Sequence, residues 1–161
     1  MASTQPIIRQ TSWFGIVPQA LIFVLIVWVL FILGSENFLL LGTVIYLLLS
    51  VTLKKLIPRF HRKGIRYFKT KQYDLAIDEF NKSYEFFQKN KWIDKYRALF
   101  LLSSSRISYS EMALVNIAYC YSQIGEGAKS KESYEKTLRE YPNSQMAITA
   151  LKMYDSIKNI K

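Results

Sequence analysis

Two long apolar runs, residues 13–33 and 38–53, stand nearly end to end near the start of this 161-residue chain, parted only by Gly34-Ser35-Glu36-Asn37. Neither contains a charged residue, and the second stops at Lys54-Lys55. A charge-free stretch of about 20 residues is the length an α-helix needs to cross roughly 30 Å of hydrocarbon. The four-residue break leaves room only for a tight hairpin. The second run is shorter, about 24 Å at 1.5 Å per residue, so its helix is expected to continue past the lysines, whose stems reach the interface, to Leu56 and Ile57. Residues 1–12 are a short N-terminal segment, and residues 13–57 read as a transmembrane helical hairpin. The rival reading is a re-entrant hairpin confined to one leaflet. A cleaved signal peptide would not be followed at once by a second apolar run, and two core helices of a water-soluble domain would each show a polar stripe.

Charge sets the expected orientation. The hairpin turn holds Glu36 and no base, whereas residues 54–71 hold Lys54, Lys55, Arg59, Arg62, Lys63, Arg66, Lys69 and Lys71 with no acid. Basic residues beside membrane helices stay on the cytoplasmic side. The expectation is therefore an integral membrane protein with both termini and the C-terminal domain in the cytoplasm. This block supplies most of the formal net charge of +10. The excess is next to the membrane, not spread over the domain, which points to anionic lipid headgroups at Lys54, Lys55, Arg59, Arg62 and Lys63. Nucleic acid is not expected, since no basic-and-aromatic fingerprint of an RNA-binding sheet is present.

The chain has one cysteine, Cys120, and one histidine, His61. That inventory offers no zinc cluster and no Cys/His pair with an orienting third group. No glycine-rich phosphate loop occurs either. No catalytic, cofactor or metal site is expected, and the chain does not read as an enzyme.

After the basic collar, small and aromatic residues recur at one spacing: Gly64, Tyr67, Ala76, Phe80, Ser83, then Ala118, Tyr121, Ser130, Tyr134, Thr137. A turn signal divides each set, Lys71-Gln72-Tyr73-Asp74 in one and Gly125-Glu126-Gly127 in the other. Each set reads as two antiparallel helices whose small residues allow close approach and whose aromatics fill the gap. Residues 145–161 read as one more amphipathic helix, opening after Asn143 or Ser144 as its helix cap and closing the repeat stack. Between the sets, residues 91–110 carry Trp92 to Leu102 as one further helix, broken by Ser103-Ser104-Ser105. It either enlarges the core or docks on a membrane or partner.

The two sets resemble the tetratricopeptide repeat, a helix–turn–helix unit. The copies run over about 57–90 and 111–144, the second closed by Tyr141-Pro142-Asn143-Ser144, the first having Gln88 where that proline would stand. The resemblance covers about 70 residues and implies an all-α protein whose residues 58–161 are a short repeat domain. It also implies a concave groove lined by the first helix of each copy, here Arg62, Ile65, Phe68 and Lys69 with Val115, Asn116, Tyr119 and Gln123. Members that clamp a C-terminal carboxylate do so with a basic and amide set. Only Asn116 matches it, with His61 and Ile65 where a lysine and an asparagine would be expected, so that ligand is not expected. The function implied is that of a membrane-anchored adaptor, which recruits a protein through the groove. The alternative is a small structural subunit of a larger membrane complex, bound through the hairpin, for which Gly42, Thr43, Tyr46, Ser50 and Thr52 are the small and polar residues available. Two repeats bury less core than the three or so usually needed, which leaves self-association or a neighbouring subunit to complete it.

Overall fold

A computed structural model describes residues 15–103 and 105–158, without the side chains of residues 157 and 158. The expectations for the N-terminal segment, for the start of the first apolar run and for the last residues of the terminal helix lie outside the described residues. The chain is all-α, with nine helices among the described residues. The described residues divide into two compact units, those up to residue 57 with those of 95–107, and those of 58–94 with those from 108 onward.

The first unit is built on α1 (Ile16–Ile32) and α2 (Phe38–Leu56), antiparallel and packed on each other. Gly34 makes the turn possible. It holds φ +72 and lets the Gly34 and Ser35 amides donate to the last carbonyls of α1, Phe31 O and Leu30 O, a conformation that is strained for a residue with a Cβ. The helices approach closely at Gly42, where a Cβ would lie 2.8 Å from Val27 Cγ2. Phe23 meets Tyr46 edge-on at 5.5 Å, and Phe31 meets Phe38 at 5.4 Å. Gly42 and Ser50 are buried. The other large side chains of the two helices are exposed or partly exposed, among them Val24 (59 %), Leu40 (69 %) and Leu48 (64 %). Among the described residues α2 is the one helix long and apolar enough to cross a membrane, and α1 is apolar but shorter.

The second unit is a stack of helices: α3 (Arg59–Lys69), α4 (Tyr73–Lys89), α7 (Tyr109–Gln123), α8 (Gly127–Glu140) and α9 (Gln145–Lys158). Each packs on the next, with α4 against α7. The two hairpin turns have the same construction. Lys71 (φ +59) and Gly125 (φ +83) both occupy the left-handed region after their first helix. In each turn the next residue donates to a tyrosine carbonyl, Gln72 to Tyr67 and Glu126 to Tyr121. Gly64 is required where it stands, because a Cβ would come within 2.7 Å of the buried Phe80 ring. At the corresponding place in the second hairpin Ala118 fits, and its carbonyl accepts the Ser130 hydroxyl at 2.7 Å. One core cluster joins Ala76, Ile77, Phe80, Ile117 and Cys120. Another joins Val115, Ala118, Tyr134 and Ala147, with Met146, Leu151 and Tyr154 of α9 against it. Tyr121 is only partly buried, with the Lys129 ammonium 5.8 Å from its ring centre.

Two expectations are corrected. Trp92 to Leu102 is not one helix: α5 (Lys91–Lys95) and α6 (Arg97–Phe100) are separated at Tyr96. The chain then passes through Leu102 at φ +46. Ser144 is buried before α9, and among the described residues its hydroxyl has no hydrogen-bond partner, so it supplies no side-chain cap there.

Candidate functional site

In α3, Arg62, Arg66 and Lys69 fall at i, i+4 and i+7, a spacing that puts them on one face of the helix. With Ile65 and Thr70 they line an open cavity of about 390 Å³. Arg62, Arg66, Lys69 and Thr70 are exposed, and Ile65 is partly buried against the first core cluster. Thr70 is tied to its own helix, its hydroxyl donating to Tyr67 O at 3.0 Å and to Arg66 O at 3.3 Å. Among the described residues no acidic side chain lines the cavity, so its field favours an anionic ligand.

Three of the expected groove residues, Arg62, Ile65 and Lys69, therefore share one cavity. Asn116, Tyr119 and Gln123 do not line it. They lie on α7 at i, i+3 and i+7, Asn116 and Tyr119 partly buried and Gln123 exposed. The Phe68 and Tyr119 rings, 5.4 Å apart, join the two helices. The outcome is a surface with a cationic end on α3, an aromatic middle, and an amide-bearing end on α7. Val115 is not part of it. Only 8 % exposed, Val115 belongs to the core cluster against Ala147 of α9. Arg66 and Thr70 line the cavity without having been expected there from the sequence. The helical spacing from Arg62 was the signal that could have found Arg66.

His61 is also placed elsewhere than on the groove. It is buried between the Phe80 and Tyr109 rings, at 5.4 and 5.3 Å, with Ser83 Oγ 3.5 Å from Nδ1. Burial lowers its pKa from the usual 6.5 to about 4, because the charged form loses its hydration there. His61 is thus a neutral core group at pH 7. Cys120 is fully buried, and burial pushes its thiol up to about 12, which removes it as a nucleophile at neutral pH. Among the described residues no group of three or more His, Cys, Asp and Glu is arranged to hold a metal.

The collar residues Lys54 and Lys55 are exposed in the last turn of α2, and Arg59, Arg62 and Lys63 are exposed on α3. The Arg59 guanidinium sits 4.8 Å from the Phe60 ring centre. Compared with family models, curated proteins and solved structures, the chain matches none.

Proposed function

We propose that this protein is a membrane-anchored adaptor. In this reading the α1–α2 hairpin crosses the membrane, the stack from α3 to α9 is a tetratricopeptide-like module on the cytoplasmic side, and its groove recruits a partner protein through an acidic segment. The observation that carries it is the cavity of Arg62, Arg66 and Lys69 beside the Phe68–Tyr119 pair. Aromatic and arginine side chains are the residue types that dominate protein interfaces. The equal construction of the turns at Lys71 and Gly125 supports the repeat reading. An apolar hairpin surface exposed nearly all round supports membrane insertion. Lys54, Lys55, Arg59 and Lys63 then meet anionic headgroups.

For the complex-subunit reading, Gly42 packs against Val27 and the partly buried Tyr46 meets Phe23 within the hairpin, while Thr43 and Thr52 are exposed on α2. The test is co-purification after gentle extraction of the full chain. Arg62→Glu with Lys69→Glu should lose the partner, as should Asn116→Ala with Tyr119→Ala provided circular dichroism shows an intact fold. Retention of the partner by both groove variants, with loss on changing the outward Leu40 and Leu47, would replace the adaptor by the complex subunit.

A further inference from the structure

The chain between α4 and α7 makes an excursion that the helical stack does not require, since those two helices pack directly on each other. The excursion is closed at its base. Asp94, only 5 % exposed, accepts hydrogen bonds from the Tyr109 amide (2.8 Å), the Ser110 amide (2.9 Å) and the Ser110 hydroxyl (2.9 Å). The same helix start is capped by Ser108, whose hydroxyl accepts the Glu111 amide at 3.1 Å. A carboxylate and a serine together satisfy amides that a helix N-terminus leaves open. Residues 94 and 109 are thereby held together, and the chain leaves and returns at one place.

The excursion itself, residues 95–107, is cross-linked. The Arg97 guanidinium donates to Ser105 O at 2.8 Å and to Arg106 O at 2.6 Å, and the Ser105 hydroxyl donates to Ile107 O at 2.9 Å. Leu101 and Leu102 are buried, and Leu102 accepts a left-handed conformation that a side chain with a Cβ rarely adopts. Helix α6 packs on α1, so this segment belongs to the same compact unit as the apolar hairpin. Against this ordered frame Tyr96 (49 %), Leu99 and Phe100 remain exposed. Lys95, Arg97 and Arg106 are the charged residues of the segment, and no acid occurs in it.

We propose that residues 95–107 form a membrane-interface loop, seating Tyr96, Leu99 and Phe100 in the headgroup and upper acyl layer of the bilayer that holds the hairpin. This rests on the reading that the hairpin is embedded in a membrane. Two features select a lipid surface over a protein as the occupant. The loop packs on an apolar helix whose remaining faces need the same environment. A tyrosine with flanking bases and no acids also suits an anionic interface, where aromatic rings and cationic side chains concentrate.

The test uses the full chain with one introduced cysteine, Leu99→Cys, carrying an environment-sensitive fluorophore. Cys120 is buried and does not compete for label, which the unsubstituted chain controls. Leu47→Cys on α2 and Lys129→Cys on α8 serve as references, all in vesicles of phosphatidylcholine and phosphatidylglycerol. At 99 the emission should lie to the blue of that at 129, and a lipid-borne nitroxide should quench it several-fold more. If 99 is quenched by aqueous iodide as strongly as 129 while 47 stays in lipid, the loop proposal is overturned and the hairpin reading stands. If 47 is itself open to iodide, the membrane reading falls and the loop proposal with it. A blue-shifted 99 untouched by the lipid nitroxide would also overturn it, since the cover would then be protein.

Discussion

Acid should weaken the helical stack through one residue, His61. Its pKa of about 4 in the folded chain stands below the usual 6.5, because burial between Phe80 and Tyr109 excludes the charged form. The sign follows from proton uptake. Between these two values the unfolded chain binds the proton and the folded chain does not, so stability rises with pH. The contribution is complete above pH 6.5, declines as pH falls, and is gone below about 4. At 1.36 kcal/mol per pH unit the full interval amounts to about 3 kcal/mol, of which about 2 are lost by pH 5, before most carboxylates titrate. The assay is urea unfolding of the full chain in lipid nanodiscs at pH 7.5 and 5, followed by near-ultraviolet dichroism of the tyrosine-rich stack. His61→Leu, which fills the site without a titrating group, should flatten the difference. An unchanged midpoint for the native chain, or an equal shift in the leucine variant, would refute the burial of His61 as the cause.

Two further stability predictions come from backbone geometry. Gly64→Ala should destabilise the stack by about 1 kcal/mol, although helix propensity alone favours alanine by a similar amount. The new Cβ meets the Phe80 ring at 2.7 Å, and overpacking costs about 1–3 kcal/mol. A raised urea midpoint would show that α3 and α4 do not approach that closely. Lys71→Gly should stabilise by about 1 kcal/mol, because φ +59 at this position is free of strain only for glycine. Gly125→Ala, at φ +83 in the corresponding turn, should cost about as much by the same measurement.

The sequence by itself determined the helical class and the hairpin of apolar helices. Periodic small and aromatic residues leave helix as the economical way to bury them, and two charge-free runs with Gly34 between them turn back on each other. It also marked Gly64 and Ala118 as close-approach positions, because only a small side chain fits under an aromatic across a helix pair. Helical spacing was enough to bring Arg62 and Lys69 to one face. Spacing along the chain does not contain which face a neighbour covers. Val115 and His61 each sit on a helix face that looks open when α7 or α3 is drawn alone. α9 covers the first, while α4 and Tyr109 enclose the second, and both covers come from residues distant in sequence. The break at Tyr96 escaped the pattern for the same reason. Trp92 to Leu102 has the composition of a helix, but local propensity yields to tertiary constraints: Asp94 is held at the start of α7, and Arg97 folds back onto Ser105 and Arg106. Local preference chose the helices, and contacts between distant residues decided which of their faces remained available.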